Sequence, residues 1–273
     1  GNGMTPMTPM GATGADINSA IDEAFNSGMK AVAISEGAYE VTYASSGGTQ
    51  IKMKDGISIY GGYSNSTFLR DNTQYVTTIK NLSHNAYSTT YDPTRVIELI
   101  ITNTQSVVID GFTLIAGTDD MGNVSSVVIL CGNNATGIIS NNILTTQDNN
   151  FNQLKGIKIR DASITIKNNT IKMKSCENNG EEYTIFNGAI LISGDGNNAI
   201  IGNRIEGGTG LSTTMSRYGF TFGIRLESYT GNILIFNNMI IAGESYAPND
   251  MYQASSSITI YNATGDVKVY NNT

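Results

Sequence analysis

The feature that most constrains the fold is a pair of asparagines set among β-branched, strand-forming residues, as in "ITIKNNTI" (164–171). Asparagine is depleted in strands and common in turns, so the pair predicts a turn between two short strands. The pattern apolar–x–(Asn/Gly)–Asn–x–(Ile/Leu) recurs every 27 to 35 residues, with modest exceptions. The other copies are "VVIDGFTL" (107–114), "GIISNNIL" (137–144), "NAIIGNRI" (198–205), "NILIFNNMI" (232–240) and "VKVYNNT" (267–273). A turn with this period is one rung of a repeating coil rather than a lone hairpin.

A second apolar position precedes the central residue of each copy by a constant nine residues. These six positions are Ile100, Leu130, Ile157, Leu191, Leu226 and Ile260. Each unit therefore contains three short strands and a connection of variable length. Strands this short cannot bury a face alone, so successive units must stack on one another. The sequence predicts an all-β fold, a single-stranded right-handed parallel β-helix of about eight coils, with the handedness that parallel crossovers favour.

In such a stack, each side chain lies above its equivalent in the next coil, at a spacing of about 4.8 Å. An asparagine amide carries both donors and an acceptor, so a column of turn asparagines can bond to itself along the axis. Asparagine also tolerates the left-handed backbone that such a turn requires. We therefore expect a structural ladder rather than a ligand site at Asn142, Asn169, Asn203, Asn238 and Asn272.

The two ends of the chain differ in character. Residues 1–14 read as a flexible leader, and residues 15–273 as the β-helix domain. The segment "ADINSAIDEAFNSG" (15–28) has apolar residues at helical spacing, with Asp16 as the expected N-cap and Gly28 as the stop. It predicts an amphipathic helix at about 16–28 that caps the open end of the coil. The chain ends at Thr273 in mid-rung, so we expect a truncated C-terminal end whose natural cap lies further on.

Composition excludes several classes of function. The net charge of −7 disfavours nucleic acid as a partner, because phosphate binding needs a basic patch. No run of apolar residues is long enough to predict a transmembrane segment. The two cysteines, Cys131 and Cys176, are too few for a disulfide framework; they are either free and packed or joined in a single bridge.

Two segments carry a resemblance to known families. The helix with "ISEGAYEV" (34–41), followed by asparagine-turn coils, resembles the pectin-lyase-like superfamily of right-handed parallel β-helices. The segment "IKMKDGISIYGGYSNSTFLRDNTQYVTTI" (51–79) is similar to secreted bacterial β-helix surface proteins, often lipoproteins of unassigned function. The resemblance implies an extracellular or outer-membrane-associated location and a lipid anchor upstream of the chain. It is specific for fold and not for activity, because the superfamily holds lyases, hydrolases and adhesins.

The motifs of the superfamily's enzymes are mostly missing. Glycoside hydrolysis needs two poised carboxylates. The superfamily's hydrolases carry Asn-Thr-Asp, a paired Asp, Gly-His-Gly and Arg-Ile-Lys motifs. Here the single histidine, His84, has no flanking glycines. Lyase chemistry needs acidic residues for Ca²⁺ and an Arg or Lys base. The best candidates are Arg160, Asp161, Arg225 and Glu227, whose alternative interpretation is a set of solvated surface charges.

The variable connections all emerge along one edge of the cylinder, which is where loops on a rigid scaffold usually carry function. Tyrosine offers a flat face for stacking on sugars or anchoring a protein, and the carboxylates are suited to Ca²⁺. We therefore predict a ligand-binding edge, and require no cofactor other than an optional Ca²⁺. Its candidate residues are Tyr183, Tyr218, Tyr246, Tyr252, Asp119 and Asp120.

The residues beside the nine-residue markers are expected to face outward and are unusually apolar: Leu99, Ile101, Ile129, Ile190 and Ile192. A parallel sheet with two apolar faces is normally covered. We therefore expect the insertions at 172–188 and 206–222 to fold back over it.

The sequence favours a non-catalytic extracellular or surface protein that binds polysaccharide or a surface protein through the variable edge. Two alternatives stay open: a lyase or hydrolase acting on acidic polysaccharide, and a structural spacer in a larger surface protein.

Overall fold

The computed structural model describes residues 13–42, 49–81, 96–116, 125–146, 153–178, 185–212, 218–246 and 252–273. Its strands, numbered along the chain, form four parallel sheets, and each strand pairs with its equivalent in the coils before and after it. The first sheet contains β1 (Ala31–Ser35), β4 (Ser58–Tyr63), β7 (Val107–Asp110), β10 (Thr136–Ser140), β13 (Ser163–Lys167), β17 (Asn197–Ile201), β21 (Asn232–Phe236) and β25 (Val267–Tyr270). These eight rungs confirm the predicted parallel β-helix.

Two further sheets complete each coil. The second sheet contains β2 (Gly37–Val41), β5 (Thr77–Asn81), β8 (Phe112–Ala116), β11 (Ile143–Thr146), β14 (Thr170–Lys172), β18 (Arg204–Glu206) and β22 (Met239–Ile241). The third sheet contains β3 (Ile51–Lys52), β6 (Val96–Thr102), β9 (Ser125–Gly132), β12 (Gln153–Arg160), β16 (Ile185–Gly194), β20 (Tyr218–Tyr229) and β24 (Tyr252–Tyr261).

A small fourth sheet lies between the second and third sheets in the later coils. It contains β15 (Cys176–Asn178), β19 (Thr209–Ser212) and β23 (Glu244–Tyr246). These strands belong to the variable connections, and they pair with one another in parallel. The described parts of the long insertions therefore stack from coil to coil, like the rest of the helix.

Helix α1 (Gly14–Asn26) precedes the first coil and buries Ile17, Ala20, Ile21 and Ala24. The predicted N-cap was wrong by one turn. Thr13 is the N-cap, and Asp16 is the third helical residue, whose carboxylate accepts the Thr13 backbone N–H in a capping box. A Cβ at Gly14 would stand 2.1 Å from the carbonyl oxygen of Thr49, which explains the glycine where the helix meets the coil.

The interior consists of columns of like side chains. In the first sheet, Ile109, Ile139, Ile166, Ile200 and Ile235 pair in register, and each is 0% exposed. Fully burying one such side chain is worth about 1.5–3 kcal/mol. The repeat therefore supplies a continuous core although the strands of the first and second sheets are only three to six residues long.

The two asparagine positions in the turn between the first and second sheets have different structural roles. The first position adopts the left-handed conformation, with φ between 53° and 56° at Asn141, Asn168, Asn237 and Asn271, and glycine replaces asparagine there at Gly111 and Gly202. Glycine reaches this conformation most easily, and asparagine and aspartate tolerate it better than other residues. The second position turns its side chain into the core, where Asn142, Asn169, Asn203 and Asn238 are at most 2% exposed.

The expected facing of the third sheet was wrong. Ile101, Ile129, Ile190 and Ile192 lie in the core and are 0% exposed, whereas they were expected to face outward. Of the nine-residue markers, Leu130 pairs with Lys158 rather than with Ile157, and Leu191 pairs with Arg225 rather than with Leu226. For the fifth expected residue, Leu99, the structure describes the backbone pairing with Ile129.

The cause is the length of the turn that follows the third sheet. Three residues, 133–135, separate β9 from β10, but only two, 161–162, separate β12 from β13. A shift of one residue moves a side chain to the other face of a strand, so a constant offset mixes inward and outward columns. The reason for expecting the 172–188 and 206–222 insertions to cover an apolar outer face is therefore removed.

Candidate functional site

The ladder asparagines are bonded to one another, so their polar groups are occupied. The side-chain nitrogen of each donates to the side-chain oxygen of the next, at 3.1, 3.0, 2.9 and 2.9 Å from Asn142 through to Asn272. The same nitrogens also reach backbone carbonyls of the preceding coil, as from Asn169 to Ile139 at 2.9 Å. The column ends at Phe112, whose backbone N–H donates to the Asn142 side chain.

A second cluster of hydrogen-bonded side chains surrounds Asp110, beside the equivalent turn of an earlier coil. Arg70 forms a close ion pair with Asp110 and donates to the Gly61 carbonyl at 2.9 Å. Ser140 and Asn141 also donate to the Asp110 carboxylate, at 2.5 and 2.6 Å. Burial tends to raise the pKa of Asp110, but these hydrogen bonds and the Arg70 charge outweigh it and hold the pKa below its usual value. Because the Asp110 carboxylate is occupied by these contacts, we assign the cluster a structural role. We call it the Arg70–Asp110 fastener.

The third sheet and the variable edge beside it carry the predicted lyase candidates. Arg225, on β20, lies with its guanidinium carbon 5.7 Å from the Phe220 ring centroid and 5.9 Å from that of Tyr261. Its Nη2 lies 3.2 Å from Glu227 Oε1. Glu227 pairs in register with Tyr261 of the next coil, so the stacking of coils brings the four groups together. We call Arg225, Glu227, Phe220 and Tyr261 the Arg225 cluster.

The residue exposures within this cluster differ widely. The Arg225 side chain is 12% exposed and that of Glu227 is 41% exposed, while Tyr261 is 60% exposed. The Arg225 guanidinium is thus mostly buried between the two aromatic rings, whereas the Glu227 and Tyr261 side chains are more exposed to solvent. Sequence reasoning found Arg225 and Glu227 but missed Phe220 and Tyr261, because Tyr261 becomes a neighbour only through the coil register and no pattern marks Phe220.

The other two lyase candidates lie elsewhere. Arg160 and Glu227 share one outward column with Ser193 between them, two coils apart. Asp161 has a φ of 51° and forms the turn after β12, where its Oδ1 accepts the Asp195 backbone N–H at 3.1 Å. It also pairs loosely with Arg160, at 3.6 Å. Asp161 therefore serves the turn, and the four candidates do not converge on one point.

Three of the predicted ligand-binding residues lie outside the described residues: Asp119, Asp120 and Tyr183. The sole histidine, His84, also lies outside them. For Tyr218, Tyr246 and Tyr252 the structure describes only the backbone. Tyr246 is the last residue of β23 in the fourth sheet, and Tyr218 and Tyr252 are the first residues of β20 and β24. We call the fourth sheet, together with the first residues of β20 and β24, the arm. Across the described ranges, no group of three His, Cys, Asp or Glu side chains is placed to hold a metal ion. Cys131 is free and buried, and burial raises its pKa.

The arm itself is fastened to the coil by Asn187, which is 0% exposed. Its side-chain nitrogen donates to the Lys174 carbonyl at 2.8 Å and to the Thr209 carbonyl at 3.0 Å. One buried amide thus ties β16 to the connections of two successive coils. The one helix in the described part of the chain, α1, falls short of what crossing a bilayer requires.

No protein-family model matches the chain, and no curated protein matches it. Among solved structures, the chain is similar to the A-module of the Azotobacter vinelandii mannuronan C-5 epimerase AlgE4, with 12% identity, 97% of this chain and 98% of that chain covered, and a TM-score of 0.28. It is also similar to a mutant of the periplasmic alginate epimerase AlgG, with 14% identity, coverage of 89% and 70%, and a TM-score of 0.35. The A-module of Azotobacter vinelandii AlgE6 gives 12% identity, coverage of 92% and 94%, and a TM-score of 0.27.

Proposed function

We propose that the protein is a non-catalytic extracellular or cell-surface β-helix that binds acidic polysaccharide along the variable edge of its third sheet. The observation that carries the proposal is the Arg225 cluster, in which a guanidinium is framed by two aromatic rings and a carboxylate. The cluster belongs to strands β20 and β24, directly beside the fourth sheet built from the variable connections.

The chemistry of the cluster suits a uronate. An arginine guanidinium is planar and presents donors in a fork that matches a carboxylate, and aromatic stacking keeps that fork oriented. The Tyr261 ring offers an exposed flat surface against which the C–H face of a sugar can pack. Two more cations lie on the outward columns of the same sheet: Lys158 shares the Arg225 column, and Arg160 shares the Glu227 column. A linear polyanion lying along the axis would meet these cations in the coils of β12 and β20.

Binding without turnover is favoured by the carboxylates. Hydrolysis needs two carboxyl groups poised across one bond. Glu227 is the carboxylate of the cluster, and Asp161 is engaged by the backbone of the next turn. A lyase would use Arg225 as a base, but its guanidinium is paired with Glu227.

The test is titration of oligoguluronate, oligomannuronate and oligogalacturonate into the protein by calorimetry, with and without Ca²⁺. Arg225→Ala is expected to weaken binding about tenfold or more, and Arg225→Lys to restore only part of it, because lysine lacks the fork. Tyr261→Ala should weaken binding roughly fivefold. Tyr270→Ala, an exposed tyrosine of the same final coil on the first sheet, is the matched control and should bind normally.

The same samples are assayed for unsaturated uronate products by ultraviolet absorbance. Turnover by the unmodified protein that disappears in Arg225→Ala would make the protein a lyase. Failure of all three uronate polymers to bind would overturn the proposal and favour the spacer.

A further inference from the structure

A groove of about 340 Å³ lies on the first sheet in the last three coils, away from the Arg225 cluster. Its walls come from β17, β21 and β25 and from the turn before β25. The lining residues are Asn197, Asn198, Asn232, Ile233, Leu234, Asp266, Lys268 and Tyr270. All lie in described segments, and none is among the site residues that the sequence analysis predicted.

One edge of the groove is a column of polar side chains that climbs from coil to coil. Asn232 Nδ2 donates to Asn197 Oδ1 at 3.1 Å, and Asn232 Oδ1 accepts the Asp266 backbone N–H at 3.4 Å. Below them, Ser163 Oγ accepts the Asn197 backbone N–H at 2.9 Å. Both asparagines are exposed, and within the described part of the chain no hydrogen bond uses Asn197 Nδ2. The column therefore holds its side chains in fixed positions with donor capacity left over.

The opposite edge is apolar and aromatic. Leu234 pairs with Lys268 in register, and Phe236 pairs with Tyr270. The rings of Phe236 and Tyr270 pack at 5.2 Å between centroids with an interplanar angle of 57°, an arrangement favourable for aromatic pairs. Tyr270 is still 49% exposed. Its ring is thus held in place by Phe236 and keeps an exposed surface.

The floor is braced by a buried phenol. Tyr229 is 0% exposed, and its hydroxyl lies 2.5 Å from the Gly196 carbonyl and 2.7 Å from the Asn232 carbonyl, which share its one proton. The hydroxyl also accepts from Asn198 Nδ2 at 3.2 Å. This bracing links the two coils that supply the polar edge. Side chains that are already fixed before binding lose less conformational entropy when the ligand binds.

We propose that this groove is a second glycan site, which binds a neutral oligosaccharide by stacking on Tyr270 and hydrogen bonding to the Asn197–Asn232 column. A sugar ring has an apolar C–H face and a rim of hydroxyls, and the groove has one edge suited to each. The groove's own charges are balanced, because Lys268 Nζ lies 2.9 Å from Asp266 Oδ2. That neutral pair offers a donor and an acceptor side by side, which suits vicinal hydroxyls and gives no preference for a polyanion.

The proposal goes beyond uronate binding at the Arg225 cluster and does not depend on it. The two sites lie on different sheets of the same coils, and each supplies one exposed tyrosine: Tyr261 on β24 and Tyr270 on β25. The two tyrosine variants therefore serve as reciprocal controls.

The test uses cellohexaose, xylohexaose and mannohexaose as probes. Their binding is measured by saturation-transfer NMR and calorimetry. At least one probe is expected to bind the unmodified protein. Tyr270→Ala and Asn197→Ala should each weaken that binding about tenfold, while Tyr261→Ala leaves it unchanged. Uronate binding should show the reverse pattern. Thermal unfolding of each variant confirms that it is folded.

Three results would overturn the proposal. The first is that none of the neutral probes binds. The second is that Tyr261→Ala and Tyr270→Ala weaken binding of the neutral probe equally. The third is that uronate displaces the neutral probe and that Arg225→Ala abolishes binding of the neutral probe. None of them bears on whether uronate binds at the Arg225 cluster, which the uronate titrations decide separately.

Discussion

The side-chain nitrogen of Asn142 donates to the side-chain oxygen of Asn169 at 3.1 Å, and neither residue is more than 2% exposed. The same Asn169 oxygen also accepts the backbone N–H of Asn142, at 3.0 Å. One amide oxygen thus satisfies two donors of the neighbouring coil, in a place that water does not reach.

Removing that amide should be costly. Asn169→Ala removes the acceptor of two Asn142 N–H groups and the donor to the Ile139 carbonyl, so we expect a loss of roughly 3 kcal/mol in the free energy of unfolding. Urea unfolding followed by circular dichroism measures it. The neighbouring Asn168 is the matched control: it has a φ of 55°, which glycine adopts freely, so Asn168→Gly should change stability by well under about 1 kcal/mol. Equal losses in the two variants would mean that the ladder bonds add nothing.

Two adjacent residues of β9 test the facing of the third sheet. Ile129 is 0% exposed, and Leu130 is partly exposed in the outward column with Lys158. Ile129→Ala should cost about 2–5 kcal/mol through lost burial and the cavity left behind, and Leu130→Ala clearly less. Chemical denaturation of the two variants decides the matter. If Leu130→Ala were the more damaging change, the outward assignment of its column would fail.

The fold could be predicted from the sequence because a β-helix repeats the same local solution in every coil. The Asn141–Asn142 pair and its equivalents mark a turn by residue type alone. The facing of the third sheet could not be predicted, because the turns at 133–135 and 161–162 differ by one residue, and periodicity carries no record of where a single residue is gained.

The candidate sites were harder to predict for a related reason. Arg225 and Glu227 stand out as charges in an apolar strand, and sequence reasoning found both. Tyr261 becomes their neighbour only because β24 pairs with β20 in register. Tyr270 lies in a copy of the repeat and looks like any strand residue, until its pairing with Phe236 shows that it forms one wall of a groove.

The interior thiol of Cys131 should be chemically silent in the folded protein. It is fully buried, and desolvation raises its pKa, so the reactive thiolate is suppressed and reagents have no access. In a Cys176→Ser background, Ellman's reagent should titrate no thiol under native conditions and one thiol after denaturation. Rapid native labelling would show that this part of the coil opens, or that Cys131 does not lie in the core.

The Arg70–Asp110 fastener should make stability depend on acid pH. The pKa of Asp110 is lower in the folded protein than its ordinary value near 4, since the hydrogen bonds from Ser140, Arg70 and Asn141 outweigh the effect of burial. Ionised Asp110 therefore contributes its full stabilisation above about pH 4, and that contribution is lost as the pH falls through the folded-state pKa. Asp110→Asn should lower the free energy of unfolding by about 2–3 kcal/mol at neutral pH.

The variant and the unmodified protein should converge in stability as the pH is lowered, because both then carry a neutral group at position 110. Urea midpoints measured from neutral to strongly acidic pH follow that convergence. Asp22→Asn is the control, since Asp22 pairs with Lys54 at 2.6 Å at a partly exposed site, where an ion pair contributes little. A constant gap between Asp110→Asn and the unmodified protein at every pH would show that the loss comes from packing, and that the charge of Asp110 does not fasten the turn.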